Sequence, residues 1–175
     1  MKISTKNLAI SASYAALYVA LVVALGPFSY GPLQIRVAGA LLAIVPLLGI
    51  TGVLGHTLGV FVANLFSTLG PIDLLNTIPS LAMAFVVYYL YKLTQNEYTI
   101  IGTCTAYSIV LSITVGTMLS SVSSLPLLPT IVYVFAGNFI ASVLIGWPLF
   151  KLLKKTEALQ RWVGTYEKKD QILKT

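Results

Sequence analysis

An apolar run from Val37 to Phe66, without any Asp, Glu, Lys or Arg, restricts the possible folds of this chain more than any other feature. As one straight helix with a rise of about 1.5 Å per residue, the run would be about 45 Å long, against roughly 30 Å for the hydrocarbon core of a bilayer. Gly49 and Gly52 follow Pro46 closely, and Gly and Pro are the residues that most often interrupt helices. The sequence therefore predicts two rather short helices here, with the break near Gly49–Gly52.

Four other apolar runs have a length suited to crossing a membrane once: Leu8–Leu25, Thr77–Leu93, Thr99–Leu119 and Pro129–Leu153. With 57% hydrophobic residues, 9% charged residues and a mean hydropathy of +0.89, the chain has too little polar surface to cover a soluble globule. We therefore expect an all-α integral membrane protein, a six-helix bundle in contact with the lipid bilayer and inserted as a multi-pass protein in the cell membrane.

The distribution of positive charge predicts the orientation of the bundle. Six crossings place both termini on one side, and that side then carries all of the 11 Lys and Arg residues except Arg36. Cytoplasmic loops are usually the Lys- and Arg-rich ones, so we expect both the N- and the C-terminus to be cytoplasmic. The predicted domains are a transmembrane substrate-binding domain, 1–153, and a cytoplasmic amphipathic basic tail, 154–175, lying along the membrane surface.

The sequence lacks the residues that several classes of function require. The sequence has no GxxxxGK[ST] loop for binding ATP phosphates, and its basic residues are too scattered for a nucleic-acid surface. With one histidine, His56, and one cysteine, Cys104, no metal cluster and no catalytic set of side chains can be assembled. We expect neither an enzyme nor a metal or other cofactor, and any ATP hydrolysis has to come from another chain.

The polar residues within or beside the apolar runs are the candidates for binding a small molecule. Arg36 is either an interfacial residue or a substrate contact, and Asp73 either caps a helix or contacts substrate. Asn64 either bonds to a neighbouring helix or binds substrate, and Asn138 is placed where it could line an external cavity. His56 falls near the cytoplasmic end of its helix, so we predict a structural role for it.

Small residues recur along the first helix at intervals of four: Ala12, Ala16, Ala20 and Ala24. Such a stripe lets another helix approach closely, since there are no bulky side chains in the way. Spacing alone leaves two interpretations open, packing against the protein's own helices or docking of a partner in the membrane.

Four short segments together resemble a known family: Tyr30–Val37 (YGPLQIRV), Gly59–Leu65 (GVFVANL), Gly70–Asp73 (GPID) and Pro79–Ala82 (PSLA). They look like the queuosine-precursor transporter family, whose members are substrate-binding S components of energy-coupling factor (ECF) transporters. The resemblance implies a six-helix S component with an external substrate pocket for a deazapurine. It also implies a separate transmembrane T component and two ATPase subunits as partners, with the alanine stripe as the docking surface.

The sequence departs from the family pattern at Gly39, where a glutamate usually stands. A carboxylate would suit the adjacent N–H donors of a deazaguanine base. Either Asp73, with Gln34, Asn64 and Asn76, replaces the lost contact, or the ligand is another small nutrient such as a vitamin. A second hypothesis, from a different functional class, is that the protein is a stand-alone channel or facilitator.

Overall fold

The computed structural model of the chain describes residues 4–30 and 36–156, and these fold into seven helices. The fold is all-α over the described residues, which confirms the predicted class. The helices, labelled here in chain order, are α1 (Thr5–Ala24), α2 (Gly26–Tyr30), α3 (Val37–Leu48), α4 (Ile50–Asn64), α5 (Gly70–Thr94), α6 (Glu97–Ser123) and α7 (Leu127–Lys154).

Three of these helices contain a stretch that is not α-helical. Helix α3 begins as a 3₁₀ helix over Val37–Ile44, and α5 begins as one over Gly70–Asn76. Helix α7 is interrupted by a π-helical stretch, Ile140–Ile145. The two 3₁₀ stretches begin at the same end of the bundle, and they carry or adjoin the charged residues Arg36 and Asp73.

The predicted break in the long apolar run is confirmed at Gly49. Its backbone has φ +64°, a left-handed conformation that glycine adopts without steric cost, and α3 ends and α4 begins on either side of it. By the usual rises per residue, α3 and α4 are each about 22 Å long, less than the roughly 30 Å of a bilayer core. Neither helix spans a bilayer core by its own length.

Four helices are long and apolar enough to cross a membrane: α1, α5, α6 and α7. Helices α3 and α4 are apolar but shorter. The chain therefore has the helices of a multi-pass membrane protein, while the number of six crossings and the cytoplasmic location of the termini stay predictions.

Helix α1 packs closely against α4 because glycines on α4 face it. A Cβ atom at Gly55 would lie 3.0 Å from the Tyr14 Cβ, and one at Gly59 would lie 2.8 Å from the Tyr18 Cβ. The side of α1 that faces the protein is buried and consists of Ser11, Tyr14, Ala15, Tyr18 and Val22. This contact directs the Tyr14 and Tyr18 side chains into the bundle.

The bundle has two chemically different ends. One end, which we call the Arg36 end, joins the last turn of α4 to the first turns of α3 and α5 through Arg36, Asn64 and Asp73. At the opposite end, the Lys154 Nζ donates to a Glu97 carboxylate oxygen at 3.1 Å. The predicted tail 154–175 lies for the most part outside the described residues, and its role stays a prediction.

Candidate functional site

A buried ion pair marks the Arg36 end. The Arg36 Nη2 lies 3.5 Å from the Asp73 Oδ2, and the two side chains are 3% and 0% exposed. They are the only charged side chains that are buried among the described residues. Buried charges are costly unless they are paired, so these two residues have to be considered together.

Two asparagine side chains connect the ion pair to the helices around it. The Asn64 amide accepts from the Arg36 Nη1 at 3.1 Å and donates to the Asp73 backbone carbonyl at 2.9 Å. The Asn76 Nδ2 donates to the Asp73 Oδ1 at 2.6 Å and also lies 3.2 Å from the Met118 sulfur. Residues from α4, α5 and the start of α3 are thus held in one hydrogen-bonded group.

Tyr30, at the end of α2, borders the same group. Its hydroxyl donates to the Ala63 backbone carbonyl at 2.6 Å, next to Asn64 at the end of α4. The Arg36 guanidinium carbon lies 5.8 Å from the centre of the Tyr30 ring, within the range of a cation–π contact. Tyr30 therefore covers one side of the guanidinium and ties α2 to α4.

The structure brings together four of the six residues that the sequence suggested for substrate binding. Arg36, Asn64, Asp73 and Asn76 form the hydrogen-bonded group described above. Gln34 lies outside the described residues. Asn138 is buried in α7, where its Nδ2 donates to the Val134 carbonyl of the same helix.

The Arg36 guanidinium and the Asp73 carboxylate both contact buried polar side chains. An interfacial arginine would extend its guanidinium to the surface, whereas Arg36 is 2% exposed. The Asp73 carboxylate faces Arg36 and Asn76, and the cap residue that precedes the α-helical part of α5, Asn76, makes no side-chain capping bond. Both charged side chains are directed inward.

Several polar atoms in this region are buried without a hydrogen-bond partner among the described residues. They include the Arg36 Nε and Nη2, the Asp73 Oδ2 and the Asn76 Oδ1. The hydroxyls of Tyr18 and Ser80 and the Nε2 of His56 share this property. Buried polar groups are nearly always paired in folded proteins, so these atoms are available to bind water or a polar ligand.

Sequence reasoning did not single out Ser80, predicted a structural role for His56, and left Tyr18 either as a cavity-lining residue or as a core tyrosine. Ser80 follows Asn76 by four residues, which places both on one face of a helix. Tyr14 and Tyr18 show the same spacing on α1. A spacing of four residues therefore indicates that two polar residues share a helix face. Many other residue pairs in an apolar helix have the same spacing, so it does not identify these residues.

His56 lies at the centre of a cluster of tyrosines. Its Nδ1 is 3.1 Å from the Tyr14 hydroxyl, and its ring is in edge-to-face contact with Tyr18 at 5.3 Å and with Tyr107 at 6.1 Å between ring centres. His56 is fully buried, as a structural role requires. It also supports the ring of Tyr18 through this edge-to-face contact.

The alanine stripe has a different environment from the buried side of α1. Its members are all exposed: Ala12, Ala16, Ala20 and Ala24. They therefore lie away from the buried side of α1, and docking of a partner on them stays a prediction. The stripe is a smooth, outward-facing surface of α1.

Gly39 is buried in the 3₁₀ part of α3. A Cβ atom added there would meet only the Ala141 Cβ within 4 Å, at 3.7 Å, which is an ordinary van der Waals distance. The backbone at this position therefore does not require glycine. The absence of an acid at position 39 is a chemical difference rather than a steric necessity.

The buried polar atoms of the site determine which ligands it can bind. Among the described residues, no group of three His, Cys, Asp or Glu side chains is placed to hold a metal ion. The buried polar atoms offer N–H donors, carboxylate and amide acceptors, and hydroxyls that can do either. Such a set suits a small molecule whose edge carries both donors and acceptors.

Comparisons with known proteins give one match. The model of a family described as QueT transporter matches residues 8–155, which include every residue of the site. No match is found among the curated proteins or among the solved structures.

Proposed function

Because this chain belongs to the QueT transporter family, we propose that it is the substrate-binding membrane subunit, the S component, of an ATP-driven ECF importer. Membership makes it a transporter rather than an enzyme and implies that it transports a queuosine precursor. In our proposal, the chain captures this deazapurine at the external face of the cell membrane. The observation that carries the proposal is the match over residues 8–155 together with the buried polar group inside it.

The chemistry of the site supports a ligand of this kind. A deazaguanine base has ring and exocyclic N–H donors beside a carbonyl acceptor. The Asp73 Oδ2 and the Asn76 Oδ1 can accept hydrogen bonds from the N–H groups of the base. The Arg36 Nε and Nη2 can donate to its carbonyl. Asp73 thereby supplies the carboxylate that the family pattern places at position 39.

The distribution of charge supports the proposed orientation. Lys92, Lys151 and Lys154 belong to the end of the bundle opposite Arg36. Since positive residues are enriched on the cytoplasmic side, the Arg36 end is the external one in this proposal. A ligand would then reach the site from outside the cell, as an importer requires.

Two features support an assembly with other subunits. The sequence has no phosphate-binding loop for ATP, so the energy has to be supplied by the two ATPase subunits that we propose as partners. The exposed alanine stripe on α1 offers a surface on which a transmembrane T component can pack closely. We propose docking of the T component through this stripe.

Ligand binding tests the substrate. The purified chain is titrated with 7-cyano- and 7-aminomethyl-7-deazaguanine and with a panel of vitamins, and the unfolding temperature is recorded. We expect a ligand-dependent increase with the deazaguanines, because a ligand that binds only the folded state stabilises it. A response to a vitamin and none to a deazaguanine would rule out the queuosine-precursor proposal and leave an S component for another nutrient, the alternative that Gly39 leaves open.

Copurification tests the assembly. Tagged protein isolated from its native membrane is expected to bring along a T component and two ATPases. If the chain alone, reconstituted in liposomes, takes up the ligand without ATP, it is a stand-alone facilitator and the S-component proposal fails.

A further inference from the structure

Most of the buried polar atoms without a hydrogen-bond partner belong to the Arg36–Asp73 ion pair or to buried side chains of α1 and α5. Arg36 faces Asp73 at 3.5 Å, and Asp73 accepts from Asn76 at 2.6 Å. Four residues further along α5, Ser80 is fully buried and its hydroxyl has no hydrogen-bond partner among the described residues. We call the complete set the polar ring, and its members are Tyr18, Arg36, Asp73, Asn76, Ser80 and Tyr107.

Tyr18 contributes a hydroxyl to the polar ring from α1, and its aromatic ring contacts the His56 ring, as the Tyr107 ring does from α6, at 5.3 and 6.1 Å between ring centres. It is fully buried, yet it meets the geometry of a hydrogen bond with no described residue. Residues from α1, α5, α6 and the start of α3 therefore direct polar atoms toward the same part of the interior.

Residues outside the polar ring hold Tyr18 in position. The His56 ring contacts Tyr18 edge to face, and the Tyr14 hydroxyl fixes His56 through its Nδ1 at 3.1 Å. Gly59 allows the backbone of α1 to approach α4 at this level. The Tyr18 hydroxyl is thus positioned by packing rather than by a hydrogen bond of its own.

The polar ring carries no net charge. Arg36 and Asp73 contribute one charge of each sign, and no other charged side chain is buried among the described residues. A ligand edge with a full charge would leave one of these two residues without its balancing partner. An uncharged edge with both donors and acceptors satisfies the ring without that cost.

We propose that the polar ring binds the uncharged hydrogen-bonding edge of the ligand, a lactam next to an amine as in guanine-type bases, with the Tyr18 and Ser80 hydroxyls as direct ligand contacts. This inference rests on the proposed function, which it deepens by assigning the recognised edge and two residues outside the Arg36–Asn64–Asp73–Asn76 group. Any charged substituent of the ligand faces away from the ring.

Variants that remove single hydroxyls test the two new contacts. Tyr18→Phe and Ser80→Ala are each expected to weaken the binding of 7-deazaguanine to the full chain about tenfold, the effect of one lost hydrogen bond. Tyr133→Phe is the matched control, since it removes a hydroxyl from a tyrosine that is 53% exposed. Unchanged affinity in both Tyr18→Phe and Ser80→Ala would overturn the proposal.

Thermal unfolding without ligand distinguishes a binding role from a structural one. Tyr18→Phe and Ser80→Ala remove buried hydroxyls that have no described partner, so the unfolding temperature should stay the same or rise. Tyr14→Phe removes the hydroxyl that holds His56, so its unfolding temperature should fall. A clear loss of stability in both Tyr18→Phe and Ser80→Ala would show that these hydroxyls serve the fold, and would overturn the proposal.

A pair of ligands tests the recognised edge. In 7-deazaadenine, an amine replaces the carbonyl and the neighbouring ring N–H is lost, so we expect binding at least about 100-fold weaker than for 7-deazaguanine. Equal affinity for the two bases, or no binding of 7-deazaguanine, would refute the edge assignment. If a vitamin binds in place of deazaguanines, the proposed substrate fails, and the two hydroxyl variants then decide whether that compound contacts the ring.

Discussion

Neutralising Asp73 should destabilise the protein strongly, because it leaves Arg36 buried beside an uncharged neighbour. The two charged atoms are 3.5 Å apart, and at this distance an effective dielectric constant of about 20 gives an attraction of about 5 kcal/mol. Removing one partner of a buried ion pair typically costs about 3 to 5 kcal/mol. The pair itself lacks hydrogen-bond geometry, so we expect Asp73→Asn to lower the free energy of unfolding by about 3 kcal/mol.

The substitution is well suited to isolating charge. Asparagine has nearly the shape of aspartate and keeps an Oδ1 that can accept from the Asn76 Nδ2, as Asp73 does at 2.6 Å. For a domain of this size, about 3 kcal/mol corresponds to a decrease of roughly 6 to 12 °C in the unfolding temperature. The measurement is thermal unfolding of the purified protein in detergent, followed by tryptophan fluorescence or circular dichroism.

A second ion pair in the chain provides the matched control. Lys154 and Glu97 approach to 3.1 Å, closer than the buried pair, but their side chains are 38% and 35% exposed. Exposed pairs contribute about 0 to 1 kcal/mol, so Glu97→Gln should change the unfolding temperature little. If Asp73→Asn costs no more than Glu97→Gln, burial does not govern the energetics of the Arg36–Asp73 pair and the reasoning is wrong.

The double variant separates stability from binding. Replacing both partners with apolar side chains, Arg36→Met with Asp73→Leu, removes the unpaired charge and should recover part of the stability lost in Asp73→Asn, although Asn64 and Asn76 then each lose a hydrogen-bond partner. The same variant lacks the charged donors and acceptor of the site, so it should not bind 7-deazaguanine. A double variant that binds normally would show that the ion pair is not a ligand contact.

Two further predictions concern helix packing. Replacing Ala16 and Ala20 by Leu should prevent copurification of the T component while ligand affinity stays unchanged. The control Ala82→Leu, at an exposed position on α5, should change neither copurification nor affinity. Normal assembly of the Ala16 and Ala20 variant would refute docking through the stripe. Gly59→Ala should destabilise the fold by about 1 to 3 kcal/mol, because the added Cβ would lie 2.8 Å from a side-chain atom of α1. Gly102→Ala, with no atom within 4 Å of the added Cβ, should be neutral or stabilise by about 0.5 to 1 kcal/mol, and thermal unfolding of the two variants decides.

The class of the protein and the break in its longest apolar run could be predicted from the sequence alone. Hydropathy and segment length are local properties, so they predicted an all-α membrane protein and a break in the run from Val37 to Phe66, which occurs at Gly49. The family resemblance was also carried by short local segments, and the match over residues 8–155 confirms it. None of these conclusions required knowing which helices are neighbours.

Which polar residues contact one another could be seen only in the tertiary structure. Arg36 and Asp73 are far apart in the sequence, and their contact depends on how α3, α4 and α5 are rotated and where α4 turns back. The same holds for Tyr18, which spacing alone could not distinguish from a core tyrosine. Small-residue spacing is likewise identical on both sides of a helix, so only the packing of α1 against α4 showed that the alanine stripe faces outward. Periodicity defines the faces of a helix, but the neighbours of each face are set by helix crossing and rotation, which no local pattern encodes.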